Sequence, residues 1–174
     1  AMAQENRIGY IGSSPIMGMT ASINAFALGA QLINPRAQIE LRWSCCEGNP
    51  QADFIRDGIR VVSNREIPTQ NRMYMDFCNY GTYLLGDRGN LIPLGAPVWV
   101  WGNFYEQAVS LFLSGAKQED KDKAINYWLG ISSGVIDIEL SNKLPTGVAT
   151  MAALLRKGFC AQAVDPFRRT IVAK

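Results

Sequence analysis

Histidine is absent from the 174 residues. That removes the imidazole base of Ser-His-Asp and Cys-His nucleophilic sites, and every His-ligated metal centre. The four cysteines, Cys45, Cys46, Cys78 and Cys160, contain no C-x-x-C pair of the kind that zinc and redox motifs use. Adjacent cysteines seldom bridge one another, so buried free thiols are expected, which points weakly to a reducing compartment or to an organism that uses few disulfides. No apolar run approaches the ~18 residues of a membrane span, and no secretory signal or lipid-attachment cysteine stands near the start. Basic residues are few and dispersed, with a formal net charge of +2. Arg156-Lys157 and Arg168-Arg169 read as solvated ends of elements rather than a surface for nucleic acid, which needs several cations on one face.

What is present is apolar enough, at 48% hydrophobic, to bury one sizeable core. Residues 1–6 read as a tag or linker. From Arg7 to Gly12 the chain alternates as a strand, turns at Gly12-Ser13-Ser14-Pro15, and continues with apolar residues at helical spacing from Ile16 to Ile33, closed by Asn34-Pro35. Gln38–Trp43 and Ile59–Ser63 are expected strands, with a short helix over Gln51–Asp57 between them. A further helix over 68–78 and a strand over Thr82–Leu85 give the order βαβαβαβ. That order predicts an α/β fold: an open, mostly parallel sheet with helices on both faces and every strand's C-terminal end on one rim.

Leu91–Gly95 reads as a turn-rich loop, Pro97–Trp101 as a strand and Asn103–Ser114 as an amphipathic helix. Gln118–Lys123 is a charged exposed stretch. Tyr127–Gly130 and Val135–Leu140 look extended, Pro145–Lys157 helical, and Phe167–Val172 a terminal strand.

Four strand ends supply candidate ligand contacts. The Gly12–Pro15 turn has neither the Gly-Lys-Ser/Thr of a P-loop nor G-x-G-x-x-G, so Ser13 and Ser14 either touch a ligand or cap the helix. Asp87 follows a strand and can accept two hydrogen bonds from vicinal hydroxyls, or can close an Asx turn against Arg88. Trp99 and Trp101 alternate on one strand face, as core residues or as stacking surfaces for a planar base, with Trp101 nearer the rim. Asn64 completes the set. No general base or paired carboxylates stand out, and no cofactor or metal is expected. The collection suits binding better than catalysis.

The strings "RIGYIGSSPIMGMTASINAFALGAQLINP", "TYLLGDRGN", "PVWVWGNFYEQAV" and "INYWLGISSGVIDIEL" resemble, in order and spacing, the second half of the basic membrane protein family. These are two-lobed receptors of the type I periplasmic-binding-protein kind that deliver purine nucleosides or related ligands to ABC importers. The resemblance implies a ligand-binding second lobe over 7–144 and a returning segment over 145–174. It implies a cleft between lobes, a non-catalytic role, permease subunits as partners and a lipid-anchored, extracytoplasmic setting. It also implies that Asp87 holds a ribose, that Trp101 and Asn103 line the cleft, and that Asn64 stands where nucleoside-binding members present an aromatic residue. The helix between Asn49 and Gly58 is about two turns shorter than the family pattern. An apolar surface that would face the other lobe favours a homodimer. The alternatives are a ligand-sensing domain of a cytoplasmic regulator and, third, a nucleoside-processing enzyme.

Overall fold

The computed structural model describes residues 2–64, 81–87, 89–114, 127 and 129–167. The expected helix over 68–78, the charged stretch over 118–123, Cys78 and all but the first residue of the expected 167–172 strand lie outside them.

The fold begins with β1 (Arg7–Gly12), α1 (Met19–Ile33), β2 (Gln38–Trp43), α2 (Pro50–Arg56) and β3 (Val61–Asn64). After these come β4 (Gly81–Leu85), β5 (Leu91–Trp99), α3 (Trp101–Leu113), β6 (Ile136–Leu140) and α4 (Thr146–Cys160). The strands form one open sheet in the order β2-β1-β3-β4-β5-β6. β1 runs parallel to β2 and to β3, β4 is antiparallel to β3, and β5 is antiparallel to β4. Four strands, β1, β2, β3 and β5, therefore share one direction, and the protein is an α/β domain with a mostly parallel open sheet.

The chain divides into two compact units, one of residues 1–96, 140–149 and 166–174, the other of 97–139 and 150–165.

In the first unit, β1 is the strand around which the helices pack. Ile11 meets Phe54 of α2 in a core that also holds Ile59, Val62, Tyr83 and Leu85. Tyr10, on the opposite face of β1, meets Phe26 of α1 edge-on with ring centroids 5.2 Å apart. Successive residues of a strand point to opposite faces, so α1 and α2 cover the two sides of the sheet, as expected of right-handed crossovers. Gly9 shares a face with Ile11. A Cβ there would stand 2.9 Å from the Phe54 ring, so the phenyl lies flat on the backbone because no side chain intervenes.

Local chemistry sets the helix ends. Asn49 caps α2 by accepting hydrogen bonds from the Gln51 and Ala52 amides at 3.1 and 3.2 Å. Pro50 occupies the first turn, where no amide hydrogen is needed. Gly58, with φ +76, then ends the helix in the left-handed conformation. α1 starts three residues later than its apolar pattern, behind Gly18 (φ 89), and has no side-chain cap. Neither Ser13 nor Ser14 caps it.

Two expectations fail at β4 and β5. Leu91–Gly95 is strand rather than loop, and β4 is not a fourth parallel strand. Gly86–Asn90 closes a hairpin, with the Gly86 amide donating to the Asn90 carbonyl at 2.8 Å. A loop that short joins only antiparallel neighbours. The buried thiols are a third correction: Cys45, Cys46 and Cys160 are all exposed and free.

In the second unit, β6 follows a 3₁₀ turn, Ile131–Ser133. Val135 is fully buried, and its carbonyl accepts from the Val100 amide at 2.8 Å. Arg156 of α4 grips Asp137 of β6 through two parallel bonds, at 2.5 and 2.6 Å. The guanidinium, helped by the Ile138 amide, lowers the Asp137 pKa to about 2.

Two outcomes are expected. Gly9→Ala should drive a methyl into the Phe54 ring and cost about 1–3 kcal/mol, each kcal/mol lowering Tm by about 2–4 °C. Adding Phe54→Leu should recover part of the loss, and strictly additive thermal shifts would contradict the contact. Asp137 titrates below its unfolded value of ~3.9, so its ion pair stabilises the fold above about pH 4 and the contribution fades as pH falls through about 2. Carbon-detected NMR should place the Asp137 midpoint near 2 in the native protein and near the ordinary carboxylate value in Arg156→Gln.

Candidate functional site

Strand order fixes where an open α/β sheet opens a crevice. From β1 the chain moves outward through α1 to β2, then returns through α2 and crosses behind β1 to β3. The strand that follows β1 in sequence, β2, lies on one side of the β1/β3 pair, and the strand that follows β3, β4, lies on the other, so the C-terminal ends of β1 and β3 flank the topological switch point, where such sheets bind ligands. Ser13 and Ser14 follow β1, and Asn64 is the last residue of β3, registered opposite Ile11.

On the β2 side the loops are tied together. The Ser44 amide donates to the Gly12 carbonyl at 2.8 Å and the Cys45 amide to the Ser13 carbonyl at 3.2 Å. Gly12 is required there, because a Cβ would fall 2.7 Å from the Trp43 ring. Ser13 and Ser14 are half-buried, while Ser63 and Asn64 are each only 7% exposed. The Ser63 hydroxyl donates to the Gly81 carbonyl at 3.4 Å and accepts from Thr82 Oγ1 at 3.3 Å. Ser13, Ser14 and Asn64 themselves carry no ionisable side chain.

Asp87 does not join this rim. Because β4 is antiparallel, with Leu84 opposite Val61 and Gly81 opposite Asn64, Asp87 leaves the sheet at the other end. It lies in the hairpin loop, 91% exposed, and pairs with Arg60 at 2.8 Å. The premise that all strand ends share one rim fails for this residue.

Trp101 and Asn103 belong to the second unit. Trp101 opens α3 instead of ending a strand, and its ring stacks on Trp99 at 5.3 Å and 15°. Both indoles are about half exposed, so neither is core. Asn103 donates from Nδ2 to the Gly134 carbonyl at 2.8 Å and holds the 3₁₀ turn in place. Beyond the stack, Phe104, Gln107, Ala108, Leu111, Tyr127 and Leu129 line a shallow groove of about 270 Å³. Its one amide, Gln107, is engaged with the Ser133 carbonyl at 2.9 Å.

Sequence reasoning did not count the Cys45-Cys46 pair among the strand-end candidates, although it lies beside Ser13. The signal was available: these residues follow Trp43, the end of an expected strand. Charge on Cys45 is the main cause that pushes the Cys46 thiol above its usual pKa. Among the described residues no three His, Cys, Asp or Glu side chains gather as a metal site, and no helix is long and apolar enough to cross a membrane.

No family model matches the chain. It is 28% identical, over 144 residues, to a Haloferax volcanii protein named as an ABC transporter glucose-binding protein, an alignment covering 77% of this chain and 36% of that protein. It is 25% identical over 178 residues to a purine-binding protein of Brucella abortus, covering 95% of this chain and 49% of the relative. The chain thus spans about half or less of the length of these curated relatives, and both are named as binding proteins.

Proposed function

We propose that this chain is one lobe of a solute-binding protein of an ABC importer, the second lobe of a basic-membrane-protein-like receptor, and that it holds a purine nucleoside or related neutral ligand. The observation that carries the reading is the β1/β3 switch point, furnished with Ser13, Ser14 and Asn64. The two relatives support it from outside: one is named for glucose and the other for purine, both rich in neutral hydrogen-bonding groups. Trp99 and Trp101 offer half-exposed ring faces suited to a base or to the apolar face of a sugar. The role is binding, and closure of a two-lobed receptor on its ligand would be the signal that a permease reads. A lipid-anchored, extracytoplasmic setting follows from the same reading.

A lone lobe offers part of the contacts. If a nanomolar complex, worth about −12 kcal/mol, is divided evenly between two lobes, each retains about −6 kcal/mol, a Kd in the tens of micromolar. Titrating the chain separately with adenosine and with glucose, followed by amide NMR, should shift Gly12, Ser13, Ser14 and Asn64 with one ligand more than the other. Ser13→Ala should weaken that binding about fivefold, the worth of one hydrogen bond. Submicromolar affinity, shifts confined to the Phe104–Leu129 groove, or no response to either ligand would each count against the reading.

A further inference from the structure

We propose that Cys45 and Cys46 are a redox-active vicinal dithiol, closed by a small-molecule disulfide of the glutathione type into a reversible intramolecular disulfide on the rim beside Ser13. Both side chains are exposed and free, in the turn that follows β2. Two backbone bonds fix that turn: the Cys45 amide donates to the Ser13 carbonyl at 3.2 Å and the Cys46 amide to the Trp43 carbonyl at 3.4 Å. The two thiols are carried by adjacent residues, and charge on Cys45 raises the pKa of the Cys46 thiol. Each is therefore the nearest nucleophile to any disulfide formed on the other.

The chemistry is two exchanges. One protein thiolate attacks a sulfur of the small disulfide; a mixed disulfide forms and one small thiolate leaves. The neighbouring thiol then releases its proton to solvent and attacks the protein sulfur of the mixed disulfide, expelling the second small thiolate. Two protein thiols are oxidised and one small disulfide is reduced to two thiols. Consecutive Cα atoms stand about 3.8 Å apart, less than the roughly 4.4–6.8 Å that relaxed disulfides span. The closed ring is consequently easy to reduce, which suits a reversible modification rather than a structural brace. Closing it must redirect the Cys45 side chain and disturb the bond from its amide to Ser13.

The test uses the full chain with oxidised glutathione, followed by peptide mass spectrometry and amide NMR. The peptide carrying Cys45 and Cys46 should lose the mass of two hydrogens, and dithiothreitol should restore it. Cys46→Ser and Cys45→Ser should instead each retain one glutathione on the remaining thiol. The Ser14 amide, next to the Ser13 carbonyl, should shift on closure in the native protein. A pair that stays reduced, or that keeps a glutathione adduct in the native protein, overturns the dithiol. A closed pair with an unmoved Ser14 overturns its coupling to the rim. Neither readout requires a ligand, so the result is separable from the receptor reading.

Discussion

The contact on which the first unit turns is Phe54 lying against the bare backbone of Gly9, with Ile11 beside it on the same face of β1. A strand buried on both faces must accept packing from two helices at once. β1 does so by offering a glycine to the larger ring on one side and Tyr10 to the edge of Phe26 on the other. With β1 held between α1 and α2, the parallel ladders to β2 and β3 follow, and with them the placement of Ser13 and Asn64 at neighbouring strand ends. Site and core thus have one origin: the residues that make β1 packable are the ones that set where its C-terminal end emerges.

Elements governed by local chemistry were legible in the sequence. The alternation of β1, the Asn-Pro start and Gly stop of α2, and the apolar spacing of α1 each state their structure within a few residues. Strand direction was not legible in that way, because period-two alternation is the same in parallel and antiparallel strands. Only the loop distinguishes them. Gly86-Asp87-Arg88-Gly89 between two β-rich runs was a hairpin signal, and Leu91–Gly95, with its proline and glycine, hid the second run. The error propagated into the site, since Asp87 was placed by the direction of its strand. Trp101 was misread for a related reason: two indoles two residues apart satisfy strand alternation, and they also stack where a strand ends and a helix begins.

The cysteines show the limit of composition. Cysteine is among the residues most often buried, yet the three described here are exposed. Their positions explain it: Cys45 and Cys46 occupy a polar turn beyond the end of β2, and Cys160 ends α4. Burial follows from where an element turns as much as from the character of the side chain.

Among the described residues of the first unit, Arg7 pairs with Glu40, Arg42 with Glu40 and Asp57, Arg56 with Asp53 and Asp57, and Arg60 with Asp87 at the far end. Ser13, Ser14 and Asn64 carry no charge to neutralise. An ionised side chain held in such a pair has its charge met by a neighbour, whereas a hydroxyl or side-chain amide exchanges hydrogen bonds with water for hydrogen bonds of similar strength to a neutral partner. This contrast underlies the proposal of a neutral ligand, and the two relatives are named for a sugar and for a purine.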